Sequence, residues 1–313
     1  MPTLRPAEAA AGPASTPLRI VFFGLPLCAL LLARDGHDVT LCALSRTDSV
    51  GLRRARRTFG DRLFVKPSVR DPALLERVRA LKPDLLVSWF WTTRLPMTIV
   101  RAARLGGIGA HPSLLPRHRG PDPTYWAIAS GDEETGVTVH RIEAEYDTGE
   151  MLAQERLRID PAWNAWLLAR ALDRPSLRLL RATVARFARG EDVPGLPQDP
   201  ALATQAPAPD DEACAIRWDR STAEILRLVR ALAPAPGAWT EVDGALVTVI
   251  RAASVDRFPR ALAPGEGTVD GDRVIVRTGD GAIALLQAEI DGEPAGPAEL
   301  SALFLSRAPL VIG

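Results

Sequence analysis

The chain has 313 residues, 47% of them hydrophobic and 24% charged, with 38 Lys and Arg balanced by 38 Asp and Glu. That is a soluble globular composition with room for two ordinary domains. A net charge of zero argues against a nucleic-acid partner, which is normally met by a basic excess, and no apolar run approaches the roughly 18 residues of a membrane span.

Residues 1–17 are rich in Ala and Pro and lack the apolar centre of a signal peptide, so a disordered tail is expected there. Leu18 to Gly24 reads as a buried strand, Pro26 to Ala33 as a helix stopped by Gly36, and Asp38 to Ala43 as a second strand. A strand–helix–strand unit predicts a parallel sheet. No G-x-G-x-x-G follows the first strand, so a dinucleotide site is not indicated. Residues 51–60 carry Arg53, Arg54, Arg56 and Arg57. They read either as a solvated helix face or as a site for a phosphate or carboxylate on a substrate. Leu63 to Lys66 is a short strand, Asp71 to Leu81 a helix with Asp71 as N-cap, and Asp84 to Ser88 another buried strand. The aromatic run Trp89-Phe90-Trp91 then leads to Leu95 and Pro96. It stands at the carboxyl end of a parallel strand, where open α/β sheets bind ligands, although its rings suit core packing equally well. Met97 to Leu105 reads as a helix and Gly107 to Ala110 as a strand leading into His111.

Past the stretch 106–150, Met151 to Ile159 is a strand, and Pro161 to Arg189 has helical periodicity, divided in two at Pro175. Gly190 to Pro209 is rich in Pro, Ala, Asp and Gln and reads as an extended linker or a surface-hugging segment. A helix over Ala223 to Ala233 precedes short alternating runs with hairpin signals at Asp243-Gly244 and Asp280-Gly281. A small β-barrel of about 100 residues is expected, closed by a helix over Pro297 to Arg307. The boundaries are a tail at 1–17, a first domain at 18–190, a linker at 191–212 and a second domain at 213–313. Cys28, Cys42 and Cys214 are odd in number and lack metal-ligand spacing. Buried thiols in a reducing, cytoplasmic compartment are expected, with no metal centre.

The chemistry concentrates between Gly106 and Glu150. His111 ends a strand and opens a loop stiffened by Pro112, Pro116, Pro121 and Pro123, while Asp147 sits in an Asp-Thr-Gly turn. Each alone is an ordinary residue for its place, a hydrogen-bonded histidine and a turn aspartate. Together they offer an imidazole kept protonated by a carboxylate, suited to stabilising an oxyanion and moving protons in acyl transfer.

Several motifs resemble the 10-formyltetrahydrofolate-dependent formyltransferase family: His111-Pro-Ser-Leu-Leu-Pro-Arg-His-Arg-Gly120, Trp126-Ala-Ile128, Gly131-Asp-Glu-Glu-Thr-Gly-Val-Thr138 and Asp147-Thr-Gly149. The opening strand Arg19 to Gly24, the segment Gln198 to Thr204 and Ile216-Arg-Trp-Asp-Arg-Ser221 resemble its two-domain members. The resemblance covers residues 18–310. It implies an α/β, Rossmann-like catalytic domain with a parallel-rich sheet and a C-terminal β-barrel of OB-like type. It also implies 10-formyltetrahydrofolate as formyl donor, held by Trp89, Phe90, Trp91, Leu95 and Pro96 after the fourth strand and by Ile142, Glu143, Ala144 and Tyr146 before the aspartate. His111 and Asp147 match the family's catalytic His and Asp. Ser113, Arg119 and Gly120 fall beside them and are taken as substrate-binding, with Arg53 and Arg54 as a second acceptor contact.

One position departs from the family's pattern: where it places a catalytic Asn, this chain has Gly109. Losing an oxyanion donor of that kind typically costs about 2.7–4 kcal/mol. Three readings follow. In an N-formyltransferase another donor or an ordered water fills the gap, and His118, Ser113, Thr148 and Tyr125 are the candidate donors. In a 10-formyltetrahydrofolate hydrolase the space holds water as nucleophile. In a folate-binding or interaction protein turnover is lost. The first is favoured. The connection from Leu44 to Gly60 is too short for a long basic RNA-gripping insertion, so the expected acceptor is a small-molecule amine such as an amino sugar, an amino acid or a secondary-metabolite precursor. The last domain would fold over the acceptor, bind a second ligand or mediate a homodimer; its texture favours none of these.

Overall fold

The apolar runs set the alternation. In the computed structural model, which describes residues 16–271 and 273–305, β1 (Arg19–Gly24), α1 (Pro26–Arg34) and β2 (Asp38–Leu44) form the first strand–helix–strand unit. Then come α2 (Leu52–Phe59), β3 (Leu63–Val65), α3 (Pro72–Leu81), β4 (Leu85–Trp89), the short α4 (Met97–Val100) and β5 (Gly107–His111). α5 (Pro123–Ala129), β6 (Glu134–Arg141), β7 (Met151–Arg158) and α6 (Ala165–Ala188) follow. Except for Thr16 and Pro17, the expected tail lies outside the described residues.

The strand order is β3-β2-β1-β4-β5-β6-β7. β3, β2, β1, β4 and β5 are parallel, and β6 runs antiparallel to β5. Ile20 to Phe23 on β1 and Leu85 to Val87 on β4 are wholly buried, as strands covered on both faces must be. The order reverses between β1 and β4, so the loop after β4 opens at the switch point of the sheet. Gly24 lies so close to the end of β4 that a Cβ there would stand 1.8 Å from the Trp89 carbonyl oxygen.

The break expected at Pro175 does not occur: α6 runs through it for 24 residues. A proline removes one helical hydrogen bond and crowds the preceding turn, but burial of Leu172, Leu177, Leu180 and Val184 holds the helix on its sheet. The segment read as a linker or a surface-hugging stretch is tied to the first unit. Val193, Gln198 and Ala206 are buried; Met151 and Leu196 exchange backbone hydrogen bonds, and Arg119 pairs with Thr204 and Ala206. This stretch is therefore a structural strap of the first unit.

The described chain forms two compact units. The first holds residues 16–121, 135–158 and 171–206, the second 122–134, 159–170 and 207–305. In the second, α7 (Asp211–Cys214) and α8 (Thr222–Leu232) precede β8 (Ala238–Val242), β9 (Ala245–Ser254), β10 (Gly267–Asp270), β11 (Arg273–Arg277), β12 (Ala282–Ile290), β13 (Glu293–Ala295) and α9 (Pro297–Leu305). Ser221 and Glu224 close a capping box on α8. The strands make an antiparallel sheet in the order β10-β11-β12-β9-β8, with β13 on β12. Asp243 and Gly244 both have positive φ in the two-residue hairpin between β8 and β9, the backbone such a turn requires. Asp280-Gly281 instead ends a four-residue loop between β11 and β12.

Candidate active site

β5 and β6 pair so that Gly109 faces His140 and His111 faces Thr138. Side chains alternate along a strand, so these four positions share one face of the sheet. His111 and His140 are each 6% exposed. Asp147 reaches them from the turn after β6. Its φ is +57°, a left-handed conformation that Asp adopts more readily than most residues. Gly149 is required two residues on, because a Cβ there would lie 2.0 Å from the Arg141 carbonyl oxygen. The strap holds the turn: Gln198 Nε2 donates to the carbonyls of Asp147 and Gly149, both at 2.7 Å. The Gly120 N–H donates to Asp147 Oδ2 at 2.9 Å.

The carboxylate thus stands between two imidazoles. Asp147 Oδ2 is 3.5 Å from His111 Nδ1, and Oδ1 is 3.5 Å from His140 Nε2. The far nitrogen of each ring meets a backbone carbonyl, His111 Nε2 that of His118 at 2.7 Å and His140 Nδ1 that of Arg141 at 2.8 Å. A carbonyl only accepts, so both of these nitrogens carry hydrogen. Burial holds the His140 pKa below its ordinary 6.5; Asp147 opposes this, while His111 and Arg119 push the same way. His140 is therefore the ring that stays neutral. His118, also left-handed at φ +60°, is fixed by its N–H to Thr204 Oγ1 at 2.8 Å.

Of the residues expected to bind substrate, Gly120 joins this group through its N–H. Two others are occupied elsewhere. The Ser113 side chain is inaccessible and donates to the Arg117 carbonyl at 2.6 Å, so it shapes the loop. Arg119 donates through Nε and Nη2 to Gln198 Oε1, at 3.0 and 2.7 Å, so it buttresses the strap. Arg53 and Arg54 are exposed on α2, whose Ala55 and Phe59 face inward. Thr148 Oγ1 donates to the Glu145 carbonyl at 3.2 Å, and Tyr125 belongs to the second unit.

The two segments expected to hold the donor meet, since Arg94 and Glu145 approach to 3.7 Å. Trp89 is not available to a ligand: it is buried, and its indole donates to Ser176 Oγ at 2.8 Å. Leu95 lies in the core with Ile99 and Val100, and Ile142 and Trp91 pack against the same cluster. Phe90 and Tyr146 are exposed, as are Glu143 and Ala144, while Pro96 is half-buried. Trp91 meets Phe23 edge to face at 5.1 Å, and its indole N–H is buried without an acceptor. Among the described residues no group of three or more His, Cys, Asp or Glu is arranged for a metal ion, and no helix is long and apolar enough to cross a membrane.

Residues 37–181 match the family described as formyl transferase, and residues 210–301 match the formyl transferase C-terminal domain. Methionyl-tRNA formyltransferase of Syntrophus aciditrophicus is 31% identical over 288 residues, spanning 88% of this chain and 92% of the relative. That of Citrifermentans bemidjiense is 36% identical over 231 residues, 74% of this chain and 71% of the relative. The chain belongs to the formyl transferase family.

Solved structures share the fold. HypX from Aquifex aeolicus in complex with tetrahydrofolic acid superposes with a TM-score of 0.65 at 21% identity, over 92% of this formyl transferase and 47% of that chain. The N-formyltransferase from Helicobacter canadensis, in complex with folinic acid and dTDP-3-aminofucose, gives 0.66 at 16% identity over 86% and 98%. In the candidate site, sequence reasoning missed His140, Gln198 and Thr204. His140 became visible only through the β5–β6 register, which no local pattern specifies. Gln198 lay in a motif already singled out, but in a stretch whose composition reads as linker.

Proposed function

We propose that this formyl transferase moves the formyl group of 10-formyltetrahydrofolate to the amine of a small molecule. The observation that carries the reading is the partly buried Asp147 carboxylate with one oxygen toward each of the buried His111 and His140. This is a proton-handling group at the carboxyl end of β5, where open α/β sheets present catalytic side chains.

For the donor, support comes from the folates bound in the HypX and Helicobacter canadensis structures. The local chemistry fits as well. A folate is a flat ring with polar edges, and the loop after β4 offers aromatic surface and the buried, unpaired Trp91 N–H. Phe90, Trp91, Pro96, Ile142, Glu143, Ala144 and Tyr146 are the expected residues whose side chains are near enough to a surface to flank it. Trp89 and Leu95 would contribute only backbone groups.

In the reaction the acceptor amine attacks the formyl carbon. With Nε2–H on the His118 carbonyl and Nδ1 toward Asp147, His111 is best satisfied as an imidazolium. It stabilises the oxyanion of the tetrahedral intermediate and supplies the proton the departing nitrogen needs. Asp147 keeps that charge in place.

A small acceptor is favoured by the connection between β2 and β3. It holds only α2 and one further short turn, with its arginines spread over a single exposed face. A methionyl-tRNA acceptor is the second reading, favoured by the names of the curated relatives. The test is to incubate the purified protein with 10-formyltetrahydrofolate and an acceptor panel, and to detect N-formyl product by mass spectrometry. The panel holds dTDP-3-aminofucose, free amino acids, hydroxyornithine and charged initiator tRNA. A formylated small amine supports the proposal, and formyl-methionyl-tRNA alone replaces it with the second reading. Formate release without any amine makes the protein a hydrolase.

A further inference from the structure

Gly109 is not demanded by its backbone. Its φ is not in the left-handed region, and a Cβ added there would meet nothing closer than 3.8 Å. One of the three atoms at that distance is His140 Nε2, the others being Ile142 Cγ1 and the Ser88 carbonyl oxygen. The space above Gly109 is therefore bordered by an imidazole nitrogen. That nitrogen cannot turn away, because Nδ1–H is anchored on the Arg141 carbonyl at 2.8 Å.

The anchoring fixes the chemistry of the free nitrogen. A neutral imidazole with hydrogen on Nδ1 has a lone pair on Nε2. Two imidazolium rings, 6.4 Å apart between centroids, would share one carboxylate, and their repulsion favours a single charge. His111 offers both its nitrogens to oxygen acceptors and takes that charge. His140 faces Asp147, His111 and Arg119, and remains a base.

We propose that His140 is a second catalytic residue, whose Nε2 takes the proton from the attacking nucleophile in the space above Gly109. The inference rests on the formyl-transfer reading and deepens it. An amide at position 109 would donate a hydrogen bond to an oxyanion; His140 instead removes a proton. The balance closes through Asp147. The acceptor N–C bond forms while the bond from the formyl carbon to the donor nitrogen breaks. One proton goes from the amine to His140 Nε2, and one from His111 Nδ1 to the departing nitrogen. The surplus proton on His140 then passes to Asp147 Oδ1, and exchange with water, which reaches the partly exposed carboxyl, returns a proton to His111.

The test uses His140→Asn, whose amide stands where Nδ1 does and keeps the bond to Arg141 while deleting Nε2. His140→Ala with added imidazole is the second variant. Both are assayed with the amine that the acceptor panel identifies and, in parallel, with water as nucleophile. We expect kcat to fall about 10²–10⁴-fold, the usual worth of a positioned general base. KM for 10-formyltetrahydrofolate stays unchanged, the acid limb of the kcat–pH profile disappears, and imidazole restores part of the His140→Ala rate. Nitrogen-15 NMR of labelled histidines should show His140 as the neutral Nδ1–H tautomer at pH 7. Wild-type kcat and an unchanged pH profile in His140→Asn would overturn the proposal, as would an Nε2–H tautomer. A wild-type protein that transfers formyl to nothing fails the underlying reading instead.

Discussion

At the scale of single residues, the site is built by holding ordinary groups in costly places. Asp147 and His118 both adopt left-handed backbone, a conformation that costs a non-glycine residue energy and is retained where surrounding bonds over-determine it. His140 is buried and kept neutral, which makes stability depend on pH. Its folded pKa lies below 6.5, the value expected in the unfolded chain. Above 6.5 neither state binds the proton and the full stability is present. As pH falls below 6.5 the unfolded chain takes up the proton first, so stability drops until the folded value is passed. The denaturation midpoint of the wild type should therefore fall from pH 7.5 to 5.5 by more than that of His140→Asn. Equal shifts would mean that His140 titrates alike in both states. The cysteines follow the same logic with no functional consequence: burial pushes Cys42 up to about 12 and Cys28 further still. Both thiols should resist alkylation in the native protein and react only on unfolding.

At the scale of elements, the strap over residues 193–206 matters more than its composition suggests. Gln198 satisfies two carbonyls of the Asp147 turn and binds Arg119 through its oxygen. Gln198→Ala should lower kcat by roughly tenfold or more through a displaced Asp147. It should also cost stability of about 1–3 kcal/mol for a buried polar group left unpaired. A variant with normal kcat would show that the turn holds itself. The strands and their order were largely legible, because β1, β2 and β4 are continuous apolar runs between helical segments. His111 and Asp147 were legible from their motifs. His140 was not, since a histidine in an alternating strand gains meaning only from its cross-strand partner. Nor was the uninterrupted α6, where packing of Leu172, Leu177, Leu180 and Val184 outweighs the local preference of Pro175. Ser113 and Arg119 stand close to His111 in sequence, yet they spend their hydrogen bonds on the Arg117 carbonyl and Gln198.

At the scale of the whole molecule, the charge balance and the short connection between β2 and β3 favour a compact acceptor. If the exposed face of α2 binds an anionic group on that acceptor, reversing Arg53 and Arg54 to Glu should raise the acceptor KM about tenfold or more with kcat and donor affinity kept. Unchanged acceptor KM would remove α2 from the binding surface. The central claim, that Asp147 and its two histidines drive amine-dependent formyl transfer from folate, is tested most directly by one assay. Tetrahydrofolate formation from 10-formyltetrahydrofolate is followed for the wild type and for Asp147→Asn, with and without the acceptor amine. The account predicts amine-dependent release by the wild type and a loss of two or more orders of magnitude in Asp147→Asn, with the donor still bound. Release that ignores the amine, or that survives the substitution, would contradict it.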